Sequence, residues 1–249
     1  IYLLFLWGHY CLTVSRGESK SEKLPQVVAE IEKLFFAVPW GHQRCIIDKI
    51  KNIKEAVFYI NKTVENGWSR NMLLNMIESS LYYREGASIN NFSSCIPASQ
   101  SSLAQELTKD PYNFDFLTLR DGYLERELED ALTDNITKFL IELGNGFAYV
   151  GRQVRLEVGG DEFFIDLLFY HLKLRSYVVI ELKTGDFQPE YIGKLGFYVS
   201  AINHEMKLPQ DNPTIGLLIC KSKNNIVARY TLDTANLPSI EEIENELKD

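Results

Sequence analysis

Apolar positions recur along the chain in two rhythms, and the change of rhythm divides it. Over residues 26–38, 46–62 and 69–85 they fall three or four apart, the spacing of one buried helical face. Ser69, directly after Gly67-Trp68, offers an N-cap for the last of these helices. Between residues 86 and 102 the periodicity lapses: six serines (88, 93, 94, 99, 101, 102), two asparagines and one proline give the composition of a flexible connection. A long helical pattern then returns, with Leu124, Leu128, Leu132, Ile136, Phe139, Leu140 and Leu143 on one face and a C-cap at Gly144-Asn145-Gly146.

Past that cap the rhythm shortens. Residues 163–170 and 177–183 are apolar-rich runs of strand length, dense in Phe, Tyr, Val and Ile. Gly159-Gly160-Asp161 reads as one hairpin turn, and residues 171–176 are short and polar enough for a second. A helix over 190–205 and strands over 215–220 and 226–230 follow, and Ser239 to Glu242 carries a capping-box pattern into a short acidic helix. The expected organisation is an all-helical N-terminal domain over 1–88, a Ser-rich linker over 89–110 and an α/β domain over 111–249, its mixed central sheet flanked by helices. No internal repeat is present.

One charge cluster resists explanation by burial. Asp166 interrupts the first apolar run, and Glu181-Leu182-Lys183 closes the second. Moving an unpaired carboxylate out of water costs several kcal/mol unless a cation, a proton or a partner compensates. Strand side chains alternate faces, so Glu181 and Lys183 share one; a turn centred near residues 172–174 puts Asp166 opposite Val179 or Glu181 on that same face. Two hard oxygen donors suit Mg2+ or Mn2+, which keep several waters. Such a metal would polarise a phosphodiester and acidify water, and Lys183, its pKa lowered by burial near the metal, would orient or deprotonate the attacking water. A buried Asp–Lys ion pair with an exposed Glu at the sheet edge gives the same spacing a purely structural explanation.

These residues resemble the PD-(D/E)XK nuclease signature, and the text around them is more specific. Residues 144–153 (GNGFAYVGRQ), 156–160 (LEVGG) and 165–170 (IDLLFY), followed by 189–198 (PEYIGKLGFY) and 212–221 (NPTIGLLICK), resemble the bacterial YhcG family of nucleases across about residues 110–240. Trp40-Gly41-His42 and residues 65–69 (ENGWS) resemble landmarks of that family's helical N-terminal domain. Ile165 stands where the superfamily name has proline, and the metal-binding acid after it is in place. The resemblance implies a restriction-endonuclease-like helix–strand–strand–strand core with the metal where the central strands diverge, held by Asp166 and Glu181. It also implies a helper acid on the first helix; of Glu125 and Glu129 we select Glu129, as the nearer to the face leading to Leu132 and Ile136. Gln153 falls in the following strand, where it would contact a phosphate or the water. Lys194 and Tyr198, four apart on one helix face, would reach the DNA backbone.

Charge opposes a simple nucleic-acid reading, because the chain carries −8 overall and nucleic-acid binders usually show a basic footprint. The charge is uneven, however: residues 1–110 carry a net +1, residues 111–249 a net −9, and five of the acids follow Ser239. Lys49, Lys51 and Lys54 lie within a 39–70 stretch holding six basic and three acidic residues, a patch suited to phosphates.

Four scattered cysteines make neither a CxxC zinc site nor a disulfide framework, and the absence of a Walker loop implies no nucleotide cofactor. His171 is expected in a loop. Residues 1–14 are apolar but broken by Gly8, His9 and Tyr10, too short for a membrane span and without the charged start of a signal peptide; a buried helix, no membrane association and a cytoplasmic location are the expectation. The functional expectation is a metal-dependent DNA endonuclease, a homodimer if it cuts two strands. Its rival is a non-catalytic DNA-binding or adaptor protein that retains the nuclease fold.

Overall fold

A computed structural model describes residues 33, 35–92, 98–120 and 122–234. The expected helix over 1–14 and the capping box at Ser239 lie outside them, as does most of the helix expected over 26–38. The chain divides into two units, Ile1–Tyr82 and Tyr83–Asp249. No helix among the described residues is long and apolar enough to cross a membrane.

The described part of the first unit is helical, as its 3.6-residue rhythm requires. Helices α1 (Trp40–Lys49), α2 (Ile53–Asn66) and α3 (Arg70–Glu78) enclose Cys45, Ile46, Tyr59, Ile60, Leu73 and Met76. The single helix expected over 46–62 is two, because Ile50 is extended and the Asn52 side chain caps α2 by accepting the Lys54 N–H at 2.9 Å. Gly67 ends α2 in the left-handed conformation, and Ser69 caps α3 through the Met72 N–H. Tyr59, wholly buried, donates its hydroxyl to the Met76 carbonyl at 3.1 Å, so the core carries its one phenol satisfied.

The second unit is a three-layer α/β/α arrangement. Its four strands, β1 (Phe147–Val158), β2 (Asp161–His171), β3 (Ser176–Asp186) and β4 (Ile215–Ser222), lie in the order β1-β2-β3-β4, the first three antiparallel and β4 parallel to β3. Gly159 and Gly160, both at positive φ, make the tight turn between the paired Val158 and Asp161. Helices α5 (Glu125–Asp134) and α6 (Ile136–Leu143) cover one face through Leu128, Leu132 and Phe139, against Leu167, Phe169 and Ile180. Helix α7 (Glu190–Glu205) covers the other through Leu195, Tyr198 and Ile202, against Leu168 and Val179. Burial on both faces explains why β2 and β3 read as continuous apolar runs.

Four further expectations change. The long helix over 124–143 breaks at Asn135, whose backbone leaves helical geometry between α5 and α6. The Ser-rich stretch expected as a linker contains helix α4 (Ala98–Leu107), with Ala104 buried in the core of this unit. The strand expected over 226–230 is part of helix α8 (Asn225–Thr234), which leaves Ile226 and Tyr230 exposed. His171 is no loop residue: it ends β2 fully buried, accepting the Leu174 N–H at Nδ1, and burial pulls its pKa down.

Candidate active site

The β2–β3 ladder runs from His171↔Ser176 to Leu167↔Ile180 and stops. Beyond that rung β2 continues with β1 alone, and β3 with β4 alone. Asp166 and Glu181 are the first residues past the last rung on their two strands, so they stand at the mouth of the split. The turn at residues 172–175 gives the parity expected from the sequence.

Local backbone reinforces the split. Gln153, in the middle of β1, has φ 44, a left-handed value for a residue with a Cβ. It lies between the rungs Arg152↔Leu167 and Val154↔Ile165, the same interval that holds Asp166. Across that interval the buried face changes: Leu167 joins the core under α5 and α6, whereas Val154 and Ile165 join the core under α7. The outer half of the hairpin thus turns over toward α7, and the strict alternation that would group Phe164 with Leu168 is broken at Asp166.

The ionisable groups form a connected set. Asp166 Oδ2 accepts the Leu182 N–H at 2.9 Å. Burial raises the Asp166 pKa and the charge of Glu181 adds to it, against the Leu182 hydrogen bond and the two nearby lysines. Glu181 is fully buried. Its Oε1 meets Lys183 Nζ at 3.0 Å and Lys194 Nζ at 2.5 Å, while its Oε2 is buried with no hydrogen-bond partner. Glu129, buried on α5, accepts the Gln153 side-chain N–H at 2.7 Å. Burial raises its pKa too, and the charge of Asp166 contributes after the opposing Gln153 bond.

Lys183 departs from expectation. Its Nζ donates to Glu125 Oε2 at 2.9 Å and to the Leu182 carbonyl at 2.9 Å, besides its contact with Glu181. Burial pulls the ammonium down, but the hydrogen bonds and charges of Glu125 and Glu181 outweigh it and push the pKa up to about 12. With Glu125 and Glu181 as its partners Lys183 is held as an ammonium, and the lowering expected of burial near a metal is not seen in these contacts. An ammonium engaged by three acceptors is a donor and an electrostatic anchor.

Lys194 points inward at Glu181, and its Nζ lies 5.3 Å from the centroid of the Tyr198 ring. Burial lowers the Lys194 pKa, but Glu181 raises it further. Tyr198 is only 3% exposed, so it is a wall behind Lys194 and not a contact for the DNA backbone. In the helical unit Lys49, Lys51 and Lys54 are all exposed, and Lys49 is held by Glu78 at 2.7 Å. Two participants escaped the sequence reading: Glu125, passed over for Glu129, and the backbone N–H of Leu182. The periodicity had placed both glutamates beside the apolar face; which one faces which partner depends on the tertiary fold.

Among the described residues no group of three or more His, Cys, Asp or Glu side chains stands ready to hold a metal. A hydrated cation on two carboxylates fits these residues: Mg2+ keeps several waters, and the buried Glu181 Oε2, which has no hydrogen-bond partner, is a hard oxygen donor.

Comparison with known proteins identifies the family. Residues 105–242 match the YhcG PDDEXK nuclease domain, and residues 9–84 match the DUF1016 N-terminal domain. The YhcG protein of Escherichia coli (strain K12) is 36% identical over 193 residues, which cover 76% of this chain and 51% of that protein. The chain thus spans about half the length of this curated relative. A repair endonuclease from Pyrococcus abyssi aligns over 46% of each chain at 21% identity and a TM-score of 0.32. EndoMS in its apo form aligns over 47% of this chain and 45% of its own, at 21% identity and a TM-score of 0.33. Both structural likenesses are shallow, and the fold assignment rests on the sheet itself and on the match to the nuclease domain.

Proposed function

The chain belongs to the YhcG PDDEXK nuclease family, and on that premise we propose that it hydrolyses phosphodiester bonds in DNA with Mg2+ or Mn2+ at Asp166 and Glu181. The observation that carries this reading is the Glu181 carboxylate: fully buried, doubly engaged on one oxygen and unpartnered on the other, at the mouth of a split sheet. A carboxylate kept in that state solely for stability would be a poor design, because burying the charge costs more than a well-packed apolar side chain there. What the cation supplies when bound is Lewis acidity toward the phosphate and the attacking water.

The chain's own residues do the rest. Asp166, pinned by the Leu182 N–H, and Glu181 fix the cation's place. Lys183 presents its ammonium to the reacting phosphate and stabilises charge that develops there. Lys194 balances Glu181 and offers a second cation to the phosphate. Glu129 and Gln153, bonded to each other, line the side nearest Asp166 and orient water or a non-bridging phosphate oxygen. Lys49, Lys51 and Lys54 of the helical unit would add phosphate contacts. A homodimer would present two such sites to the two strands.

The test is incubation of the purified protein with labelled duplexes, junctions, flaps and RNA, in Mg2+, Mn2+ or EDTA. Cleavage of DNA only with metal, lost in Asp166→Asn and reduced about 10²–10³-fold in Lys183→Ala, is the expected result. Undiminished DNA binding with no cleavage of any substrate in any metal would establish the adaptor reading.

A further inference from the structure

We propose that Glu125 is the positioning residue for Lys183: it anchors the ammonium from the solvent side and keeps it aimed into the site when Glu181 is engaged by a cation. This rests on the nuclease reading above. An ammonium has three protons to donate and no lone pair. Lys183 Nζ has three acceptors, Glu125 Oε2 at 2.9 Å, Glu181 Oε1 at 3.0 Å and the Leu182 carbonyl at 2.9 Å. They are not equivalent. The Leu182 carbonyl belongs to the neighbouring residue of the same strand, so it goes wherever Lys183 goes and selects no direction. Glu181 Oε1 is shared with Lys194 at 2.5 Å. A divalent cation drawn to Glu181 repels both ammonium groups at these separations, so the Lys183–Glu181 contact is the one that yields.

Glu125 then remains. It comes from a different layer of the fold, 58 residues away in sequence, and its position is set independently of the metal. It occupies the first turn of α5, where Glu127 accepts the Leu124 N–H at 2.8 Å and binds Arg120 at 2.7 Å. Its side chain is 48% exposed, against 11% for Lys183, so it stays hydrated on its outer side while holding the buried ammonium with its inner oxygen. The Tyr191 ring, 5.5 Å from Nζ, limits movement further. The Lys183 N–H that no longer donates to Glu181 is then free to point at the phosphate.

Amine labelling followed by mass spectrometry reads the position of Lys183 without requiring turnover. The full chain and its Glu125→Gln variant are each treated with a limiting acetylating reagent, in EDTA and in Mn2+. Lys183 should be protected in wild type under both conditions. In Glu125→Gln it should stay largely protected in EDTA, where Glu181 holds it, and lose that protection in Mn2+. Cleavage by the variant should fall about 10–100-fold, as when an orienting partner is removed, through kcat and not KM, and Glu125→Asp should recover part of it. Equal Lys183 labelling of wild type and Glu125→Gln in Mn2+, with calorimetry showing that both bind the metal, would overturn the proposal. Absence of any metal heat in wild type would instead sink the nuclease reading, and the positioning role with it.

Discussion

The Leu182 N–H donates to Asp166 Oδ2 at 2.9 Å, just past the last backbone rung between their strands, Leu167↔Ile180. A side chain has taken over where the ladder ends. The donor freed by the parting of β2 and β3 is satisfied, and the carboxylate is fixed at the split by the same bond that closes it. Structure and candidate chemistry therefore share one residue, and the two uses can be separated by substitution. An asparagine oxygen at 166 can still accept the Leu182 N–H, while the amide removes the charge a cation needs. Asp166→Asn should accordingly fold normally in EDTA and lose most of its calorimetric metal binding. Unchanged metal affinity would remove Asp166 from the site.

The raised pKa values of Asp166 and Glu129 have a consequence for stability. Between the unfolded carboxylate value of about 4 and their higher folded values, the folded chain holds more protons than the unfolded one. Stability from this source therefore falls as pH rises through that window and is lowest above it. In EDTA the melting temperature should rise as pH is lowered from neutral into the weakly acidic range. Asp166→Asn combined with Glu129→Gln should flatten that slope, and saturating Mg2+ should raise the neutral-pH melt of wild type but not of the double variant. A slope identical in both proteins would assign the pH dependence to other groups.

Helix α7 brings Lys194 to Glu181, and its seat on the sheet depends on Gly216. A Cβ built at Gly216 meets Leu195 Cγ at 2.8 Å and Val199 Cγ2 at 3.0 Å. Gly216→Ala must push α7 outward or force those side chains off their rotamers, at a cost of about 1–3 kcal/mol. Thermal or denaturant melting measures it. Since Lys194 rides on the displaced helix, DNA cleavage should fall by more than the loss of folded protein explains.

Much of this was legible because it is local. The Gly159-Gly160 turn, the 190–205 helix and the Asp166–Glu181 adjacency follow from turn chemistry, a 3.6-residue rhythm and the two-residue period of strands. What could not be read depends on partners distant in sequence. Burial alone predicts a lowered Lys183 pKa; the opposing rise comes from Glu181, its neighbour on the strand face, together with Glu125, which no spacing rule connects to it. Tyr198 reads as surface until the β1–β2 hairpin turns over onto α7 and buries it. Ile226, Val227 and Tyr230 fit a strand as well as a helix, and there the apolar count misleads because Ile226 and Tyr230 stay exposed on α8.

The boundary between the units also has an energetic test. Arg84, which a division at residue 88 would assign to the helical domain, lies in the second unit with its Nη1 2.6 Å from Glu142 Oε1, both side chains 8% exposed. Glu142 Oε1 also accepts the Asn113 N–H at 2.9 Å, and the Glu142 carbonyl accepts Lys109 Nζ. Removing one partner of such a buried pair costs about 3–5 kcal/mol. A chain beginning at Tyr83 should melt well above one beginning at Tyr112, and Arg84→Ala in the full chain should lower the same transition. Equal melts for the two truncations would place the boundary after Arg84.

Gln153 allows backbone strain and side-chain function to be measured apart. Its φ of 44 puts a Cβ-bearing residue in the left-handed region, a conformation that costs an L-residue roughly 1–2 kcal/mol and glycine almost nothing. Both Gln153→Ala and Gln153→Gly delete the amide that donates to Glu129 at 2.7 Å, but only alanine retains the strained Cβ. Glycine should therefore be the more stable of the two by about 1 kcal/mol, after its greater unfolded-state entropy offsets part of the relief. Both should lose cleavage to a similar extent if the amide, by holding Glu129 beside Asp166, is what the site requires. If the alanine variant is inactive and the glycine variant is not, the contribution of Gln153 lies in turning the hairpin and not in its side chain. Chemical denaturation and single-turnover cleavage of the two variants, run side by side, distinguish these results.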